Sequence, residues 1–394
     1  TEIYTLSLHD ALPIYLETTI NPQTNLPYIK PIKVILYGEN YDESISLSTY
    51  LSDAYQLAED FSRMLGQRIK GSGFIKTMLL RRVCSSIFAG LSTAKGILNN
   101  WLSESEDDED DSSTEWKGEA DESTADFTES TPFKYLTNEE KEILQRFIKI
   151  LEFNKDEDPK YDLLKKIIMS SFINEPWIER GCIVFSQYFD TIKWICGRFA
   201  LDYPEVVFGL YAGSDKSGIY EDGVYLRKSK EEIKLLVRNK RLKLIFGTDA
   251  ASEGLNLQSL GSLINLDLPW NPTRLEQRKG RIQRIGQERD EIWIYNMRYK
   301  DSVEDRVHQL LANRLKSINE LFGQIPDTLE DVWVEIALNN LEEAEKRIKE
   351  LSESEIHPFY NRYQDQNNIS PINWEQCSLV LDSHEKRKIL EKAW

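Results

Sequence analysis

The spacing of apolar side chains changes character several times along this chain. Residues 32–37 (IKVILY) are a short apolar run of strand length. Residues 45–66 and 74–101 instead repeat apolar positions at helical spacing, Leu79, Leu80, Val83, Ile87 and Leu91 among them, which predicts helices packed on a core. The periodicity stops between 103 and 131 and resumes in helical form over 137–170. From Gly181 onward short apolar runs alternate with amphipathic ones. Cys182–Ser186, Val206–Leu210, Leu242–Phe246, Ser262–Asp267 and Glu291–Met297 predict strands. The run QYFDTIKWICGRFA and residues 229–239 and 272–284 predict the helices between them. Short buried strands have no diagnostic period, so the alternation itself carries the assignment. It gives an α/β fold, a parallel sheet with helices on both faces. Two longer helical patterns, 302–322 and 327–352, follow.

Composition narrows the picture. A length of 394 residues allows two to three domains, and 40% hydrophobic with 29% charged residues is ordinary for a globular protein. Lys and Arg total 49 against 66 Asp and Glu, a formal charge of −17, which excludes a uniformly basic surface. The charge is unevenly spread. Residues 103–131 hold thirteen acids and one base, Lys117, so −12 of the −17 sits in this stretch. It is too polar to offset its ordering entropy and is expected to be a disordered linker. Cys84, Cys182, Cys196 and Cys377 form no C-x-x-C pair, which argues against a zinc site or a disulfide scaffold and fits a reducing, cytoplasmic setting. No run of about 18 apolar residues predicts a membrane span, and no signal peptide is evident. The opening TEIYTLSLHDALPI resembles a translated sequencing adapter, so residues 1–14 are set aside. The chain, from Thr1 to Trp394, is expected to be a fragment.

Candidate chemistry lies in the loops after the strands, where ligands of α/β sheets bind. Gly247 to Gln258 is a polar loop of small and hydroxylated residues, suited to close approach of backbone amides to phosphate. Asp267-Leu-Pro-Trp-Asn-Pro272 leads into a helix bearing Arg274, Arg278, Lys279, Arg281 and Arg284. Arg281 and Arg284 are three residues apart and share a face, forming a guanidinium fork for phosphate oxygens. A solvated basic face is the plainer alternative.

The order of these segments decides between them. Residues 277–287 (QRKGRIQRIGQ) resemble the Q-x-x-G-R-x-x-R motif of superfamily-two helicases, and Thr248 to Asn256 resembles the T-D-x-x-x-x-G-x-N/D motif before it. Ile183 to Gln187 (IVFSQ) is similar to the strand motif that opens the same lobe. The D-x-x-W-N-P and R-I-G-Q elements narrow the resemblance to Swi/Snf-like ATPases. SEGLNLQ and LEQR are similar to the bacterial branch holding RNA-polymerase-recycling ATPases and DISARM-type phage-defence helicases. The likeness covers residues 181–322 and extends weakly to Leu79–Ser86 (LLRRVCSS).

The resemblance implies a RecA-like C-terminal motor lobe with flanking helical segments. ATP would lie between this lobe and another that carries the P-loop and the magnesium-binding acids. Arg281 and Arg284 would be arginine fingers. Gln277, Gly254 and Asn256 would contact the nucleotide, Asn256 at the ribose. Ser186 and Gln187 would meet nucleic-acid phosphates, and Thr248 and Asp249 would grip that backbone or link the two sites. Glu253 stands where many RNA helicases carry Arg. Gly71 to Thr77 superficially resembles a P-loop, but Ile75 precedes Lys76 where Gly is required, so a helix start is expected there. Asp107–Asp110 is read as linker, and the first lobe is expected to lie outside this chain.

The remaining features are weaker. His9, His308, His357 and His384 have no partner spacing, and His308 is expected at the surface. Trp270 reads as a packing anchor or a base-stacking ring. Arg227, Lys228, Lys230, Lys234, Arg238, Lys240 and Arg241 form a basic strip that either tracks a nucleic-acid backbone or is a solvated helix face. The expected partition is 1–14 artefact, 15–102 helical inter-lobe segment, 103–131 linker, 132–325 helicase lobe and 326–394 helical extension. The expected function is the second lobe of an ATP-dependent translocase on double-stranded DNA, using ATP and magnesium. Phage defence is favoured over transcription-complex recycling by the tail Phe322 to Trp333. A non-catalytic nucleic-acid-binding module is the alternative.

Overall fold

The alternating segments fold into one mixed sheet with helices on both faces. The computed structural model describes residues 20–21, 26–27, 32–68, 73–102, 136–213, 216–249, 257–269, 272–283, 287–306 and 308. The opening run, the acidic segment 103–131 and nearly all of both long patterns after 302 lie outside the described residues.

Two short strands, β1 (Ile20–Asn21) and β2 (Leu26–Pro27), pair antiparallel. The main sheet contains β3 (Lys33–Tyr37), β4 (Cys182–Ser186), β5 (Phe208–Tyr211), β6 (Gly218–Glu221), β7 (Val224–Arg227), β8 (Leu244–Thr248), β9 (Ser262–Asn265) and β10 (Glu291–Asn296). Its order is β3-β10-β9-β4-β8-β5-β6-β7. The pairs from β3 to β5 are parallel, and the last two are antiparallel. The expected parallel sheet with helices on both faces is present, and the hairpin β6–β7, which the apolar pattern does not predict, extends one edge of it. Strand β3, expected in a segment before the lobe, forms an edge of the same sheet.

The helices preceding β4 are α1 (Thr49–Arg68), α2 (Gly73–Ser85), α3 (Ile87–Leu102), α4 (Asn138–Phe153), α5 (Pro159–Met169) and the short α6 (Trp177–Arg180). The single pattern 74–101 divides at Ser86, whose hydroxyl accepts the Ala89 amide at 3.0 Å and caps the second helix. Asp158 caps α5 by accepting the amides of Lys160 and Tyr161, with Pro159 opening the first turn. It also accepts the Ile87 amide at 3.0 Å, tying two helix starts to one carboxylate. Helix α2 begins at Gly73, so the stretch resembling a P-loop runs into a helix start.

Helix α7 (Phe189–Asp202) covers one face of the sheet, packing Ile192, Ile195 and Phe199 against Val184, Phe208 and Phe246. Helices α8 (Lys230–Arg238) and α9 (Pro272–Ile282) cover the other, with Ile233, Val237 and Ile282 against Ile183, Phe185 and Ile245. Strand β5 begins two residues later than the pattern predicts, because the Val206 amide closes a turn on the Tyr203 carbonyl. Strand β8 is likewise delayed: the Arg241 and Leu242 amides both reach back to the Leu236 carbonyl. Cys182 and Cys196 are fully buried, and burial pushes both thiols up, Cys182 to about 12. They act as core hydrophobes rather than nucleophiles.

One buried ion pair ties α5 to the end of the sheet. Lys160 Nζ lies 3.0 Å from Glu304 Oε2 and donates to the Leu266 carbonyl at 2.6 Å. Burial raises Glu304 to about 7 from 4.5, against the pull of Lys160 and helped by Asp267. The folded chain therefore holds this proton more tightly than the unfolded chain. Its stabilising contribution is complete below about pH 4.5 and is lost as pH rises through about 7. Urea unfolding at several pH values should show Glu304→Gln losing that downward slope, which is at most about 1.4 kcal/mol per pH unit.

Candidate nucleotide and nucleic-acid site

Three neighbouring parallel strands end at one level. Ser186 pairs in register with Thr248, and Phe185 with Asn265. The polar residues of this edge are organised by one carboxylate, that of Asp267, just beyond β9. Asp267 is 1% exposed. Its Oδ2 accepts the hydroxyls of Ser186 and, at 2.7 Å, Ser85, and its Oδ1 accepts the Gln187 amide at 3.0 Å. The Arg278 guanidinium lies 3.4 Å from the same oxygen.

Arg278 is the second organiser. It projects inward from α9 and is 1% exposed. Its Nε and Nη2 hold both oxygens of Asp249, Nη2 at 2.7 Å, while Nη1 donates to Asn265 Oδ1 at 3.0 Å and to the Asp267 carbonyl at 2.9 Å. Burial alone would depress its proton affinity, but the carboxylates of Asp249 and Asp267 outweigh this and raise it. The clamp joins the end of β8 to α9 and fixes the rotation of that helix. The sequence reading assigned no role to Arg278 or Asp267. A signal was present: Leu275 and Ile282 flank Arg278 at helical spacing, which places it on the inward face.

The segment Leu79–Ser86 completes the base of the site. Arg81 donates to Gln187 Oε1 at 3.0 Å, and Arg82 holds both oxygens of Asp190 at 2.9 Å while lying 4.2 Å from the Tyr188 ring centre. Ser85 and Ser86 each lie 2.9 Å from Thr191 Oγ1. The loop after β4 is therefore held from beneath by α2 as well as by Asp267.

The expected site residues divide accordingly. Gln187 is half-buried at the rim. Thr248 is 2% exposed, and its hydroxyl has no hydrogen-bond partner among the described residues. Asp249 is turned toward Arg278, whose guanidinium holds both its oxygens. Ser186 is fully buried, its hydroxyl engaged by Asp267 and by the Tyr188 amide at 3.1 Å. That placement departs from the direct phosphate contact expected of it, because a buried carboxylate claims the hydroxyl. Gln277 is exposed on α9, and Arg281 is half-buried with its Nε lacking a partner among the described residues. Gly254, Asn256, Arg284, Glu253 and Trp270 lie outside the described residues.

A polar chain leaves the clamp along the strand ends. Asn265 Nδ2 donates to Asn296 Oδ1 at 2.7 Å, Asn296 Nδ2 donates to Glu39 Oε1, and His308 Nε2 lies 3.2 Å from Glu39 Oε2. Burial pushes Glu39 upward, but His308, Asn296 and Arg298 together hold it below its ordinary value. The side chain of His308, expected at the surface, is only 13% exposed because of this pairing. In the basic strip, Lys228 and Lys234 pair with Glu232 and Glu231 of α8 at 3.2 and 2.8 Å, and Lys240 with Glu288 at 2.7 Å. No helix among the described residues is long and apolar enough to cross a membrane.

Comparison with known proteins places this edge in context. Residues 160–286 match the helicase conserved C-terminal domain. The uncharacterized ATP-dependent helicase YqhH of Bacillus subtilis (strain 168) is 45% identical over 121 residues, which are 31% of this chain and 21% of that protein. The RNA polymerase-associated protein RapA of Haemophilus influenzae (strain PittEE) is 37% identical over 176 residues, 38% of this chain and 19% of that protein. The chain thus spans about a fifth of the length of these relatives. A crystal structure of the C-terminal part of the Fun30 ATPase domain aligns with a TM-score of 0.43 at 17% identity, covering 80% of this chain and 99% of that one.

Proposed function

We propose that this chain, whose residues 160–286 match the helicase conserved C-terminal domain and which is similar to Swi/Snf-like superfamily-two helicases, is the second motor lobe of an ATP-dependent translocase on double-stranded DNA. The observation that carries the proposal is the clamp on α9. Arg278 is locked inward by Asp249 and Asp267, and Arg281, three residues on, is left half-buried with an unpartnered Nε. A helix so fixed holds Arg281 ready for charge that develops on a phosphoryl group.

In this reading ATP binds between this lobe and a second one carrying the P-loop. Arg281 and Arg284 stabilise the transferring phosphoryl group, while Gln277, Gly254 and Asn256 contact the nucleotide. Gln187 faces the nucleic-acid backbone, Thr248 lies buried at the strand end paired with Ser186, and Ser186 positions the loop through Asp267. Asp249 links the nucleic-acid side of the site to the finger helix. Magnesium is held by the other lobe, since Asp249 and Asp267 are already engaged by Arg278, Ser85, Ser186 and Gln187. The lobe alone is inactive.

ATP turnover measured on this chain and on the longer protein containing the first lobe tests the proposal. Turnover is expected only with both lobes and should rise with duplex DNA. Hydrolysis by this chain alone, or a longer protein without a P-loop, would contradict it. A second reading concerns pathway. The similarity to the RNA polymerase-associated protein RapA favours work on transcription complexes, whereas phage defence rests on the tail Phe322 to Trp333. Co-purification with RNA polymerase separates the two.

A further inference from the structure

Two buried asparagines sit side by side at the ends of β9 and β10. Asn265 and Asn296 are register partners, 2% and 9% exposed. Parallel strands covered on both faces ordinarily carry apolar residues at such positions. An amide buried there must have its bonds made, and it then stabilises the core no better than an apolar side chain of the same shape. What an amide pair adds is direction.

The direction is set from both ends. Arg278 can only donate, and it gives Nη1 to Asn265 Oδ1 at 3.0 Å. Asn265 therefore turns its Nδ2 to Asn296 Oδ1, at 2.7 Å, and Asn296 turns its own Nδ2 to Glu39 Oε1. The Glu39 carboxylate can only accept, so every dipole in the row points the same way, from guanidinium to carboxylate. Asp249 and Asp267 already answer the charge of Arg278. The row through Asn265 instead fixes the plane of its guanidinium, and with it the rotation of α9.

The far end holds Glu39 in place. Arg298, 1% exposed, donates to the carbonyls of Gly38 and Glu39, the latter at 2.8 Å, and is itself held by Asp305 at 2.7 Å. His308 Nε2 lies 3.2 Å from Glu39 Oε2. Gly38 has a φ of 77°, and a Cβ there would run into the Asn296 carbonyl oxygen, so the loop after β3 passes this close to β10 only with glycine. Glu39 and Asn296 are 257 positions apart. The chain ahead of β4 thus grips the strand ends twice, through α2 beneath Gln187 and through Glu39 behind Arg278.

We infer that Glu39 and Asn296 are positioning residues for ATP hydrolysis: through Asn265 and Arg278 they set the angle at which α9 presents Arg281. Their role rests on the motor reading, since without a catalytic Arg281 the row is structural only.

Asn296→Asp is the sharpest test, because it keeps the shape and removes the donor that faces Glu39, setting two carboxylates against each other. In the complete protein on duplex DNA, kcat is expected to fall roughly tenfold to a hundredfold, with the KM for ATP held within a few-fold. Adding Glu39→Gln supplies the missing donor from the other side and should restore most of kcat, which a packing defect alone would not allow. Circular dichroism and the melting midpoint check that each variant folds. If Asn296→Asp does not fold, Glu39→Ala decides. It withdraws the acceptor at a side chain that is 32% exposed, and kcat should fall severalfold. An unchanged kcat in the folded variant, or no recovery in the double variant, overturns the inference while Arg281→Ala still abolishes turnover. If Arg281→Ala leaves turnover intact, the motor reading has failed and this role fails with it.

Discussion

Replacing Arg278 with Ala is expected to destabilise the chain by about 3–5 kcal/mol, the range for breaking a buried ion pair from one side. The guanidinium is 1% exposed and answers two carboxylates as well as Asn265 and a backbone carbonyl. Its removal leaves Asp249 and Asp267 short of their countercharge in a buried setting, which is more damaging than the loss of the bonds themselves. Arg278→Lys should recover only part of the loss, because an ammonium cannot hold both oxygens of Asp249 while also reaching Asn265. Asp249→Asn should cost less than Arg278→Ala, since Asp267 still balances the guanidinium. Urea midpoints at constant m-value measure all three. A loss below about 1 kcal/mol for Arg278→Ala would show that the network does not hold α9 to the sheet.

The parallel core was legible because each parallel strand from 182 to 296 is a bounded apolar run and each intervening helix has its own period. Boundaries shifted where a local hydrogen bond outranked hydrophobicity: the turn at Tyr203–Val206 and the wrapped carbonyl of Leu236 each delayed a strand by two residues. The β6–β7 hairpin was missed because an exposed edge has no burial pattern. Asp222-Gly223 between Tyr220 and Tyr225 was nonetheless a strong turn signal. The break at Ser86 was hidden by continuous helical periodicity on both sides of it.

For the site, residue types and order pointed to this edge of the sheet but not to its internal wiring. Asp267 gathers Ser85, 182 positions away, with Ser186 and Arg278. A contact of such separation has no period or spacing. Ser186 read as a contact residue because the helicase resemblance sets its strand motif against nucleic-acid phosphate, and only the fold reveals that a carboxylate claims its hydroxyl. The link between Glu39 and His308 was invisible for the same reason.

The central claim is that this lobe completes an ATP site with Arg281. Removing a finger leaves nucleotide binding to the P-loop lobe but withdraws the positive charge that meets the transferring phosphoryl group, an effect worth about 10³-fold or more in turnover. Arg281 suits a clean test, being only half-buried and outside the Arg278 clamp, so its replacement should leave the melting midpoint in place. Arg278→Ala in the same protein should lower turnover and midpoint together. The decisive measurement is therefore kcat against ATP affinity for Arg281→Ala in the complete protein on duplex DNA. The account expects kcat to fall about 10³-fold with ATP affinity held within a few-fold. Turnover that survives the substitution would contradict it.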